Sequence, residues 1–186
     1  MQQPSQTDFR THETAIAGAW ETNQLTYAPA GTGKAYWGPG DHIRFLITGE
    51  QTGGAFFMAE VSVPPGGGTR PHVHRREDEC FHLLQGTLAV EVGGTTVNAW
   101  PGDLVYLPRG IAHSFRNISN LDAKFLVVVT PAGLEKFFEE AFYPATDASA
   151  ERPLVTEAWL ARVLAAASRH GLELAVPHGS LANEGD

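Results

Sequence analysis

The chain has 186 residues, 42% of them hydrophobic and 18% charged, with a formal net charge of −8. That composition suits an ordinary globular domain long enough to bury a core, and the acidic balance excludes the basic stripe on which nucleic-acid binding depends. A single cysteine, Cys80, rules out an intrachain disulfide and a thiolate metal cluster, and the longest apolar run, FLVVV at 125–129, is too short to cross a bilayer.

Residues 1–35 are polar, rich in Thr, Gln, Ala and Gly, and read as an arm. They show no basic segment followed by an apolar run, so a cytoplasmic protein is expected. From Tyr36 the pattern changes to short apolar runs, HIRFLIT, AFFMAEVSV, CFHLL, TLAVEV, DLVYL, AHSF and KFLVVV, punctuated by Gly and Pro. In AFFMAEVSV, Phe57, Ala59, Val61 and Val63 share one face while Glu60 and Ser62 take the other. In TLAVEV, Leu88, Val90 and Val92 oppose Ala89 and Glu91. Period-two alternation of this kind marks half-buried strands, and their spacing predicts a sandwich or barrel of antiparallel strands over residues 36–131. Residues 132–186 are expected to form a helical segment packed on it. GLEKFFEEAF reads as a short helix with Leu134, Phe137, Phe138 and Ala141 on one stripe. TEAWLARVLAAASRHG reads as a longer one, capped by Thr156, stopped at Gly171 and striped by Trp159, Val163, Leu164 and Ala167.

The chemistry concentrates in RPHVHRREDE, residues 70–79. His72 and His74 are two apart, so on a strand both imidazoles face the same way. That spacing alone is compatible with a metal site or with a surface pair. Glu79 has the wrong parity for an unbroken strand, so the chain must turn between His74 and Glu79. Glu77 and Asp78 are expected in that turn, solvated and paired with Arg75 and Arg76. Beyond it, Glu79, Phe81 and Leu83 share one face, with Cys80 and His82 on the other. In GDLVYLPRGIAHSFRN, Pro108 and Gly110 mark a turn, and His113 opens the next strand beside Phe115.

These residues carry a family resemblance. Gly66-x5-His72-x-His74-x4-Glu79-x6-Gly86 matches the first cupin motif at every fixed position. Gly102-x5-Pro108-x-Gly110-x2-His113-x3-Asn117 matches the second as completely. From Tyr36 to LELAVP the chain resembles the single-domain quercetin dioxygenase-like members of the cupin superfamily. The resemblance implies a double-stranded β-helix (jelly-roll) barrel, with His72, His74, Glu79 and His113 as ligands of one divalent first-row metal: iron, manganese, nickel, cobalt, copper or zinc. It implies structural roles for the glycines, Pro108 and Asn117, and a homodimer. It also implies a dioxygenase acting, with dioxygen, on a flavonol-like or other enolisable phenolic or hydroxy-carbonyl substrate, with Glu79 taking the proton. The departure is in domain number, since fungal and bacillar quercetinases carry two cupin domains. A metal-dependent isomerase or hydrolase, and a small-ligand-binding protein without turnover, are the alternatives. Phe57, Phe81 and Phe115 are the expected pocket wall, and neither nucleic acid nor membrane is an expected partner.

Overall fold

A computed structural model describes residues 25–145 and 152–174. Strands β1 (Ala35–Trp37), β2 (His42–Ile47), β3 (Phe57–Val63), β4 (His72–His74), β5 (Asp78–Gln85), β6 (Leu88–Val92), β7 (Thr95–Ala99), β8 (Leu104–Leu107), β9 (His113–Asn117) and β10 (Ala123–Thr130) precede helix α1 (Glu135–Ala141). Strand β11 (Tyr143–Pro144), helix α2 (Glu157–Arg169) and strand β12 (Leu172–Leu174) follow. The strands form two antiparallel sheets, ordered β11-β1-β2-β3-β10-β5-β8 and β12-β4-β9-β6-β7. Neighbours in these sheets are distant in sequence, as β10 between β3 and β5 shows, and this interleaving makes the fold a mainly β jelly-roll barrel.

Alternation decides which side chains enter the barrel. Phe57, Ala59, Val61 and Val63 of β3 are buried, as are Ala123, Phe125, Val127 and Val129 of β10 and Leu88 and Val90 of β6. Each fully buried large apolar side chain contributes about 1.5–3 kcal/mol. Gly86, which closes the first motif, adopts φ +78°, and a Cβ there would stand 2.7 Å from the Cα of Ala123. Only glycine permits that turn so close to β10.

The C-terminal segment departs from a purely helical expectation. α2 starts as its sequence suggests, the Thr156 hydroxyl accepting from the Trp159 backbone N–H, and Gly171 follows its end at φ +77°. Trp159 Nε1 donates to the Ala141 carbonyl at 3.0 Å, fastening α2 to the end of α1. The chain then continues as β12, which pairs with β4, setting Leu172 opposite His74 and Leu174 opposite His72. The buried face of α2 is Trp159, Val163, Ala166 and Ala167. Leu164 does not belong to it, being 52% exposed, and Ala166 takes the expected place because the helix packs on a face rotated from the apparent stripe. β7 was also outside the expected strands. Its residues Thr95–Asn98 are exposed, so no apolar alternation marks it, and it forms by pairing with β6.

Candidate metal centre

β4 and β9 are adjacent strands, and His72 stands directly opposite His113. His74 lies two residues along β4 on the same inward face, and Glu79 is the first buried inward residue of β5 in that region after the bend over 75–77. The parity mismatch in the sequence is thus the bend between two strands in different sheets. One ligand atom from each of His72, His74, Glu79 and His113 falls within 4.8 Å of the others, and all four residues are buried.

The hydrogen bonds show what this cluster needs. His72 donates Nδ1–H to the Arg70 carbonyl at 2.8 Å, leaving the Nε2 lone pair free. His113 has Nδ1 at 3.2 Å from the Ile111 carbonyl and Nε2 at 3.2 Å from Glu79 Oε2. A neutral imidazole carries one N–H and cannot serve both oxygens. His74 Nε2 stands 3.6 Å from the same carboxylate oxygen. The cluster therefore holds more acceptors than donors, and a cation among them would supply the missing positive charge. Burial, followed by the neighbouring His113 and His74, lowers the His72 pKa to about 4, so it is neutral at pH 7. Burial pushes Glu79 upward, but His74 and then His113 outweigh it and hold the carboxyl at about 2. Neutral imidazole and ionised carboxylate are the ligating forms, and this three-histidine, one-carboxylate set is compatible with a divalent first-row metal.

A cavity of about 450 Å³ reaches this cluster, lined by His72, His74 and Glu79 together with the aromatic wall Phe81, Phe115 and Phe125. Phe81 and Phe125 lie 4.5 Å apart between ring centroids, and Phe81 and Phe115 meet edge to face at 5.6 Å. Phe137 of α1 and Leu160 and Leu164 of α2 also line it, so the C-terminal helices border the barrel's cavity instead of covering its outer face. Phe57 does not line it. It is fully buried against Phe45 and Phe138, in the core behind the wall, and Phe125 stands where sequence reasoning had placed it.

The acidic turn also differs from expectation. Glu77 is 3% exposed, with Oε2 3.8 Å from His74 Nδ1, so it backs the cluster instead of facing water. Arg75 pairs with Glu173 on β12, its Nε and Nη2 donating to the two carboxylate oxygens at 2.6 Å. Asp78 accepts from the backbone N–H and guanidinium of Arg109, which holds its carboxyl down at about 2. That contact ties the second motif's turn to the strand that bears Glu79.

The cupin domain family matches residues 59–129. Those residues are a cupin domain. Among curated relatives, this cupin is 28% identical over 100 residues to quercetin 2,3-dioxygenase of Bacillus subtilis (strain 168), covering 53% of this chain and 29% of that protein. It is 27% identical over 93 residues to the tetracenomycin polyketide synthase protein TcmJ of Streptomyces glaucescens, covering 50% of this chain and 62% of that one. The cupin thus spans less than two thirds of either relative's length. Among solved structures, KdgF from Halomonas sp. superposes with a TM-score of 0.54 at 18% identity, over 61% of this chain and 98% of that one. A predicted oxalate decarboxylase from Thermotoga maritima gives 0.52 at 23%, over 58% and 99%. Both likenesses concern the fold. No helix among the described residues is long and apolar enough to cross a membrane.

Proposed function

We propose that this cupin is a metal-dependent dioxygenase whose substrate is a flavonol-like or other enolisable hydroxy-carbonyl compound. The observation that carries this reading is the aromatic-walled cavity of about 450 Å³ that reaches His72, His74 and Glu79. Its size suits a drug-sized planar molecule, and the Bacillus subtilis relative is a quercetin dioxygenase. His72, His74, His113 and Glu79 would hold the ion. When bound, a divalent ion favours the deprotonated, electron-rich form of a hydroxy-carbonyl group.

The chain's own residues supply the rest. The carbonyls of Arg70 and Ile111 fix the His72 and His113 rings through Nδ1, so both Nε2 atoms point to one place. Glu79 is ionised and accepts the substrate hydroxyl proton at a carboxylate oxygen. An ionised carboxylate is a weak base, so it serves only a hydroxyl already made acidic. Phe81, Phe115 and Phe125 orient the ring and exclude water. Dioxygen is the co-reactant, both its atoms enter the product, and the deprotonated substrate supplies the electrons, so no external reductant is required. A non-oxidative reaction on a similar compound is the second reading, since two relatives, TcmJ and the polyketide synthase CurC of Streptomyces cyaneus, are not named for an oxygenase.

The test is elemental analysis of protein purified without added metal, followed by oxygen uptake with flavonols at several metal loadings. Uptake matched one-to-one by substrate loss is expected. Substrate conversion without oxygen uptake establishes the second reading, and neither process with any loaded metal would falsify both.

A further inference from the structure

The cavity has a second polar point away from the histidines. The turn from β1 to β2 and the chain leading into β4 cross at two glycines, where Gly68 donates its N–H to the Gly40 carbonyl at 3.2 Å. A Cβ on Gly40 would lie 1.9 Å from the Gly68 carbonyl oxygen, so the crossing is closer than any side chain allows. The residue after each glycine, Asp41 and Thr69, lines the cavity. Asp41 is 8% exposed, and no side chain or backbone N–H among the described residues donates to its carboxylate. Thr69 lines the cavity with other atoms, because its Oγ1 is sealed off and cannot reach an occupant.

A buried polar group without a partner costs about 1–3 kcal/mol, and a ligand donor that reaches it offsets that cost. Arg152 is the cation that acts on Asp41, and its Nη2 is committed to the Gly38 carbonyl at 3.0 Å. Burial dominates over that charge and lifts the Asp41 pKa to about 6. Thr69 lies three residues before His72, which sets their Cα atoms no more than about 10 Å apart along the chain. The wall between is aromatic and aliphatic, so an occupant needs an apolar body with polar groups at both ends.

We infer that Asp41 forms a recognition site for a hydroxyl on the end of the substrate remote from the His72, His74, Glu79 and His113 cluster. This rests on the proposed hydroxy-carbonyl substrate and narrows it to ring compounds carrying a second, distal hydroxyl. The Asp41 carboxylate accepts a hydrogen bond from that hydroxyl. Asp41 takes no part in bond making, and its effect is on binding and orientation.

The experiment uses the metal-loaded full chain without oxygen and three probes: 3-hydroxyflavone, its 4′-hydroxy derivative and its 4′-methoxy derivative. All share the hydroxy-ketone, and only the second offers a distal donor. Binding is read by absorbance titration for the wild type, Asp41→Asn and Thr69→Val. The wild type is expected to bind the 4′-hydroxy probe about tenfold or more tightly than the other two, a preference that Asp41→Asn largely loses and Thr69→Val, whose hydroxyl is sealed off, keeps. Because no donor among the described residues serves the Asp41 carboxylate, Asp41→Asn is expected to melt no lower than the wild type at pH 7. A markedly lower melting temperature would assign Asp41 a structural role and overturn the inference. Equal binding of all three probes by the wild type, or a preference that survives Asp41→Asn, overturns it and leaves the dioxygenase reading standing. Binding of none of the three overturns both.

Discussion

His74 Nδ1 lies 3.8 Å from Glu77 Oε2, and both atoms are buried without a hydrogen bond among the described residues. His72 and His113 have carbonyls behind them, and Glu77 is the corresponding group behind His74. A carboxylate there selects the tautomer with hydrogen on Nδ1 and leaves Nε2 to ligate. Glu77→Ala is therefore expected to weaken metal affinity about 10–100-fold, with Glu77→Gln intermediate. Competition against a chromophoric chelator measures it, and unchanged affinity in both variants would show that Glu77 does not orient the ring.

Metal binding should also appear as stability. An ion at about a hundredfold over its dissociation constant stabilises the fold by about 2.7 kcal/mol, which for a chain of this length is about 5–10 °C in melting temperature. Chelation should lower the wild-type melting temperature by that amount. It should lower His72→Ala and His113→Ala by less, because each keeps only three of the four ligands.

Asn117 closes the second motif for a structural reason. It is 1% exposed, its Nδ2 donates to the Val63 and Leu121 carbonyls at 2.8 Å, and its Oδ1 accepts from the Ser119 backbone and hydroxyl. Asn117→Ala leaves a buried Val63 carbonyl without a donor and is expected to cost about 2–4 kcal/mol in urea unfolding. Metal affinity should fall far less than with Glu77→Ala.

The two motifs were legible because their residues obey local rules. Alternation places Glu79, Phe81 and Leu83 on one face, and the parity break after His74 marks the bend. Glu77 was misread because RRED has the composition of a solvated turn. Its parity with Glu79 and Phe81 was the available signal, since alternation carried two residues back points it inward. Phe125 carried a similar signal, alternating with Val127 and Val129, but Phe57 alternates equally well. Only the pairing of β10 between β3 and β5 decides which ring meets the cavity. Asp41 gave no signal, because an aspartate after Gly-Pro-Gly belongs in any turn, and its burial arises from the distant crossing at Gly68.

The leucines of α2 follow from the same long-range placement. Leu160 and Leu164 are partly exposed and line the cavity, so their contribution is to the occupant more than to the fold. Leu164→Ser is expected to cost about 1–1.5 kcal/mol of stability, well below a core leucine, while weakening flavonol binding several-fold. Paired urea unfolding and titration separate the two effects, and a large loss of stability would place Leu164 in the core after all.

Asp41 supplies a pH dependence with a definite sign. Its pKa is raised by burial from 3.8 to about 6, with the Arg152 charge opposing. The folded chain then binds this proton more tightly than the unfolded chain, so the stabilisation from protonation is present near pH 4 and is lost as pH rises through 6. Between pH 4 and pH 7 this amounts to roughly 2 kcal/mol. Asp41→Asn carries no such proton, and subtracting its unfolding free energy from that of the wild type cancels the groups common to both. In chelator-treated protein, where metal loss at acid pH does not enter, the wild type should gain roughly 2 kcal/mol on the variant as pH falls from 7 to 4. Parallel curves would mean that water reaches the carboxylate, and the cavity edge at Gly40 and Gly68 would then be open instead of sealed.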